Sequence, residues 1–227
     1  RQLTSLKKLD LDSMDVTDAG FSHLKGLTKL ETLKISNTKI TDAGLKHLQG
    51  LTSLTHLNIG YTDITDDGLK HLQGLKNLED LTIWFTKVTD AGMQHLAGLT
   101  NLKTLSLNQT RVTHAGLKHF TGLKNLWYLN LSFTDVSDPG LKHLKGLPKL
   151  RLLDLTDTKV TDAGLEHLKG MTGLRRLDLW GTRVTDAGVE HLKGLTSLVG
   201  LSLSRTNVTD EGVKKLQKAL PNCKITH

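Results

Sequence analysis

The chain has 227 residues, 23% of them charged, with a formal net charge of +7 and an isoelectric point near 9.4. That length is enough for one well-buried core, and no apolar run approaches the roughly 18 residues that a membrane span requires. A single cysteine, Cys223, excludes a disulfide framework, which leaves an intracellular protein or an exported one that does without disulfides.

In chain order, the first segment, "RQLTS", reads as the tail of a repeat, because Leu3 stands where Leu27 stands 24 residues later. The sequence is therefore expected to be a piece of a longer chain. From Leu6, and again from Leu30, Leu54, Leu78, Leu102, Leu126, Leu150, Leu174 and Leu198, the residues follow L-x-x-L-x-L-x-x-T-x-V-T-D-A-G-L-x-H-L-x-G-L-x-x without insertion. Places 1, 4, 6, 11, 16, 19 and 22 are apolar in all nine copies, 63 residues in total. Places 1 to 6 carry the alternation of a short strand with one buried face, and places 16 and 19 have the i, i+3 spacing of a short helix.

One such unit cannot bury its own apolar face, so the copies must stack, strands pairing into a parallel sheet and helices covering one side. Strands repeat at about 4.8 Å and packed helices at about 8 to 10 Å, which makes the strand side concave. The last segment, "DEGVKKLQKALPNCKITH", departs from the pattern: Lys215 and Lys218 replace the recurring His and Gly. It is expected to form a longer helix and a short tenth strand that buries Cys223 and Ile225. Residues from about 211 to 227 are thus read as a capping segment of a single domain covering 1–227.

Over residues 3 to 227 this pattern resembles the leucine-rich repeat family, whose signature is L-x-x-L-x-L-x-x-N/C-x-L. It departs at the ninth place, where Thr38, Thr62, Thr86, Thr110, Thr134, Thr158, Thr182 and Thr206 replace Asn or Cys and Met14 stands in the first copy. A turn-stabilising hydroxyl ladder is expected there. The T-D-A-G-L helix start is similar to that of ribonuclease-inhibitor-like and F-box-associated repeats, and especially of bacterial repeat proteins. The resemblance implies an α/β, right-handed solenoid with a parallel concave sheet and convex helices.

Residues that could pass for chemistry have structural roles in this frame. His23, His47, His71, His95, His119, His143, His167 and His191 share place 18. They lie one to a helix, about 8 to 10 Å apart, too far to converge on one ion. Each is expected to be held by a hydrogen bond to a neighbouring turn. Thr17, Thr41 and Asp162 are read as helix caps, with Pro139 at a first helical position. In the fifth copy His114 replaces the Asp, leaving Thr113 to cap alone. Glycine at place 15 is read as permitting close approach of helix to sheet, and glycine at place 21 as a left-handed helix end. No nucleophile–base pair, phosphate loop or metal cluster is present, so no catalytic residue, metal ligand or cofactor is assigned and a non-enzymatic role is expected.

The variable places of the strand carry the remaining information. Side chains at places 3, 5 and 7 alternate with the buried leucines and point out of the concave face, and places 2 and 8 border them. Seven of the nine aromatic residues fall in this set: Tyr61, Trp84, Phe85, Trp127, Tyr128, Phe133 and Trp180; Phe21 and Phe120 occupy core places. A contiguous aromatic surface across copies three to six is expected, with Asn108 inside it and Asn58, Asp80, Thr82, Ser106, Asn130 and Ser132 around it. Arg175, Arg176, Arg183 and Arg205 are expected to surround Trp180 and offer a second site for an acidic segment or a phosphate.

The excess positive charge otherwise lies on helix places such as Lys46 and Lys118, as a solvated convex face, so nucleic acid is not an expected partner. The reading is a monomeric binding module for a protein or peptide held in the concavity. The alternatives are a glycan- or cell-wall-binding module and a repeat domain that recruits substrate for a larger enzyme or ligase adaptor. The compartment stays open between cytoplasm and disulfide-free bacterial export.

Overall fold

The computed structural model describes residues 4–227; Leu3, read above as part of a preceding repeat, lies outside them. Each repeat contributes one three-residue strand at places 3 to 5. In chain order these are β1 Lys8–Asp10, β2 Thr32–Lys34, β3 His56–Asn58, β4 Asp80–Thr82, β5 Thr104–Ser106, β6 Tyr128–Asn130, β7 Leu152–Asp154, β8 Arg176–Asp178, β9 Gly200–Ser202 and β10 Lys224–Thr226. They form one parallel ten-stranded sheet in sequence order. Equivalent places stand side by side, as Leu81 beside Leu105.

The leucines and isoleucines at places 4 and 6 are buried from the second repeat onward, together with the apolar residues of places 1, 11 and 19. Phe21 and Phe120 are fully buried among them. The apolar residues of the first repeat's strand, with Leu27, Met171 and Val213, are only partly covered. The helical segments therefore all lie on the place 4 and 6 side, and places 3 and 5 reach solvent. Most of these segments are one α-turn that tightens into a 3₁₀ turn, such as Asp42–Leu45 followed by Lys46–Leu48. The final helix, Asp210–Ala219, is the longest among the described residues and leads into β10, with Cys223 buried and Ile225 half-buried.

The ninth-place threonines act within their own repeat. Each of the eight hydroxyls donates to the carbonyl oxygen three residues earlier, at 2.5–3.0 Å, as Thr62 does to Ile59. This satisfies a buried acceptor where the chain leaves the sheet.

The helix-start carboxylates do something the sequence did not reveal. Asp18, Asp42, Asp66, Asp90, Asp138, Asp162 and Asp186 each accept two hydrogen bonds from the threonine that opens the next repeat's helix. The backbone N–H lies at 2.7–2.9 Å and the hydroxyl at 2.6–2.7 Å. Asp162 is therefore a bridge between repeats, not a cap of its own helix. Thr41 and Thr113 do cap, accepting from Ala43 and Ala115 at 3.3 and 3.2 Å, while Thr17 makes no cap bond.

This bridge also explains glycine at place 15. A Cβ on Gly44, Gly92 or Gly188 would run into Asp18, Asp66 or Asp162 of the preceding repeat, so the absent side chain makes room for a carboxylate, not for the sheet. The place 21 glycines differ from expectation as well: of these only Gly170 has a positive φ, +89°. The helix closes by a bond from the place 22 N–H to the place 19 carbonyl, as in Leu51 to Leu48 at 2.8 Å, and Met171 makes the same bond to Leu168 at 3.0 Å beside Gly170, so this closure does not itself call for a left-handed residue.

Of the histidines, His71 and His95 accept from Gln49 and Gln73 of the preceding repeat through Nδ1, at 2.9 and 2.7 Å. His47 Nδ1 is buried without a partner, because Lys25 stands where those glutamines stand. Desolvation holds the pKa of His47, His95, His119 and His143 below the ordinary value, helped at each by nearby lysines.

Candidate interaction surface

The residue that follows each strand by three turns the chain out of the sheet. In the first eight repeats its N–H donates to the carbonyl of the next repeat's place 7, as Tyr61 to Trp84 at 2.8 Å, Phe85 to Asn108 at 3.0 Å and Phe133 to Thr156 at 2.8 Å. Keeping that bond while turning requires a left-handed backbone. Place 8 is left-handed in every repeat, with φ of +50° to +60° for Ser13, Asn37, Tyr61, Phe85, Gln109, Phe133, Asp157 and Arg205 and +70° for Gly181.

For an L-residue this conformation costs about 1–2 kcal/mol, and bulky side chains rarely adopt it. Tyr61, Phe85 and Phe133 nevertheless occupy it with 46%, 48% and 47% of their surface exposed. The turn is local and the rings are solvent-facing, so neither backbone geometry nor core packing calls for them.

Tyr61 and Phe85 stack, with centroids 4.7 Å apart and planes at 19°. Trp84 leans on both, at 5.6 and 6.4 Å and tilts of 38° and 55°. Its indole lies over Gly60, where a Cβ would collide with it. Tyr61 and Phe85, with Gln109 and Phe133, line a shallow depression of about 750 Å³, bordered by Lys87 and Arg111.

The remaining sequence-derived residues separate from this group. Trp127 and Tyr128 pair with each other, 6.1 Å between centroids, at the strand entrance. Places 2 and 8 flank the three-residue strand at opposite ends, six residues and at most about 20 Å apart, so the expected contiguous surface divides in two. Tyr128 accepts from Asn130 at 3.2 Å, and burial pushes its phenol pKa up. Asn58 and Asn130, expected around the aromatic surface, accept the N–H groups of Gly60 and Ser132 in their own turns. Asn108 is half-buried and accepts from Ser106 at 2.7 Å.

Among the four arginines expected around Trp180, Arg205 stacks over its ring at 4.8 Å. Arg176 instead lines a separate groove of about 460 Å³ on the open sheet face, with Tyr128, Leu152, Asp154, Asp178 and Lys224. There burial raises the Asp154 carboxyl, reinforced by the neighbouring charge of Asp178.

Place 10 completes the exit side. Asp15 pairs with Lys39, Asp63 with Lys87 and Asp135 with Lys159, all exposed, at 2.7–2.8 Å. Arg111 was not singled out from sequence, yet the signal was present: down this row the charges pair off between successive repeats and leave Arg111 and Arg183 over.

A model described as leucine-rich repeat region matches residues 1–165, and a second, leucine rich repeat, matches residues 194–216. The chain belongs to the leucine-rich repeat family. Among solved structures it is similar to an internalin from Listeria monocytogenes, with a TM-score of 0.81 and 25% identity over 98% of this chain and 61% of that one. It also resembles a leucine-rich repeat protein of Leptospira interrogans (TM-score 0.79, 23% identity, 99% of this chain and 55% of that one). The fold further matches the plant peptide hormone receptor RGFR1, solved in complex with RGF2 (TM-score 0.69, 18% identity, 99% and 36%). The chain thus spans 61% and 55% of the first two neighbours' lengths. No curated protein sequence matches closely enough to count as a relative.

Proposed function

We propose that this chain is a non-enzymatic protein- or peptide-binding module whose ligand lies along the exit side of the sheet, anchored by Tyr61, Phe85 and Phe133. The observation that carries this reading is the retention of three exposed rings in a left-handed turn that Asn and Gly adopt more cheaply. Exposed rings at well-supported positions are the usual anchors of protein interfaces. A repeat receptor of the same fold solved with RGF2 is in keeping with it.

The ring geometry favours a protein over a glycan. A sugar stacks on an open ring face, whereas Tyr61 and Phe85 cover one face of each other and Trp84 is tilted to both. We read the nine repeats as one monomeric domain, with the segment from about 211 as its cap. The test is selection of a displayed random 12-residue peptide library on the native protein and on the variant Tyr61→Asn, Phe85→Asn, Phe133→Asn. Asn already serves at this place as Asn37, so the variant should fold. Peptides that bind the native protein and lose at least about 10-fold in affinity on the variant are expected, since a lost aromatic anchor is worth about 2 kcal/mol or more. Peptides that bind both equally would refute the site.

A further inference from the structure

Resting on that reading, we infer that the ligand of the exit-side row is an acidic, extended protein segment that lays apolar side chains among the rings and carboxylates on Arg111 and Arg183. From the third to the ninth repeat, places 8 and 10 form one solvent-facing row that includes the rings and is interrupted at place 8 only by Gly181. Its lysines are spoken for: Lys87 is neutralised by Asp63 and Lys159 by Asp135. Among the described residues, no carboxylate lies within ion-pair distance of Arg111, Arg183 or Arg205, and all three are exposed. Arg205 instead rests on the Trp180 ring. The one carboxylate of the row outside an ion pair is Asp157, between Phe133 and Gly181 at place 8. The row therefore presents rings and three uncompensated guanidinium groups against one acid.

Geometry adds a spacing. Arg111 belongs to the fifth repeat and Arg183 to the eighth, three strand intervals or about 15 Å along the stack. An extended segment covers that in four or five residues at about 3.3 Å each. Guanidinium groups suit carboxylates through paired N–H donors. A single-stranded nucleic acid fits less well, because every nucleotide brings a charge and the row offers only three free cations, with the Tyr61 and Phe85 faces turned on each other instead of outward.

The peptides recovered above on the native protein decide the point. Those that need Tyr61, Phe85 and Phe133 should be net negative, with two acidic residues four or five apart and an apolar residue between or beside them. A pair change, Arg111→Gln with Arg183→Gln, leaves the Trp180 stack in place. It should weaken such peptides at least 10-fold in 50 mM NaCl and flatten the dependence of affinity on salt. Ring-dependent peptides that are neutral or basic, or that bind the arginine variant unchanged, would overturn the inference and leave the binding site standing. Recovery of no ring-dependent peptide would remove both. Tighter binding of a 12-nucleotide oligothymidylate than of any acidic peptide would also overturn it, in favour of a nucleic-acid ligand.

Discussion

Place 8 of each repeat demands a residue that tolerates a positive φ; Asn37 and Gly181 meet that demand at low cost, and Phe133 does not. Replacing Phe133 by Asn should therefore leave the melting temperature unchanged or raise it, because relief of the left-handed strain offsets the half-exposed contact that is lost. A fall as large as that of a core truncation, measured by thermal unfolding, would show the ring to be structural. The bridge between repeats gives a second prediction. Gly92→Ala collides with Asp66, whereas Asp66→Ala leaves the Thr89 N–H and hydroxyl without their acceptor, at about 1–3 kcal/mol. Asp66→Ala removes the carboxylate that the Gly92→Ala methyl would strike, so the double variant should be less destabilised than the sum, and strict additivity in denaturant unfolding would contradict the geometry.

Neither feature was legible from the repeat itself. Periodicity assigns a residue to a face, but it does not say that a carboxylate reaches 23 residues forward to another repeat's threonine. The left-handed turn was closer to hand, since Ser, Asn, Asp and Gly share its place in four repeats; Tyr61, Phe85 and Phe133 disguised it.

Among the helical segments, the fifth repeat shows what the bridge contributes. With His114 in place of the carboxylate, the link to the next repeat shrinks to one contact with Ser137 at 3.1 Å, and the segment Gly116–Phe120 is 3₁₀ rather than α. Restoring the pattern with His114→Asp and Ser137→Thr should stabilise the protein by about 1–2 kcal/mol, the worth of two hydrogen bonds to a charged acceptor after desolvation. No gain in thermal unfolding would mean that the link is incidental.

The helix histidines predict a pH dependence. Their folded pKa values are depressed below 6.5, chiefly by desolvation, so the folded state prefers the neutral ring. That contribution is complete above pH 6.5 and is lost as pH falls from there through the depressed folded values. The melting temperature should drop between pH 7 and 5, and His119→Gln with His143→Gln should make the drop shallower. An unchanged slope in the variant would place the dependence elsewhere. The strand–turn–helix order and every core place were readable from the apolar spacing, whereas the burial of these imidazoles was not, because it depends on the helix of the preceding repeat.

At the scale of the whole molecule, an unbroken ten-stranded sheet over one continuous core follows from a unit that cannot bury itself and repeats without insertion. Each interior repeat is clamped on both sides. Leu129→Ala in the middle of the stack should therefore cost about 2–5 kcal/mol, far more than any change on the exit side. The variable surface was less legible than the core. Sequence placed the rings on the open side of the strands, but which end of a three-residue strand each occupies decided that Tyr61, Trp84 and Phe85 form one group and Trp127 and Tyr128 another. Arg176 likewise went to the sheet groove and Arg205 to Trp180.

The most direct test of the exit side as the binding surface is hydrogen exchange of the native protein, free and saturated with a selected peptide. Slowed exchange should gather at residues 61–63, 85–87, 109–111 and 133–135, with the helices unchanged. Protection confined to the helical segments, or to the groove around Arg176 and Asp178, would contradict the account.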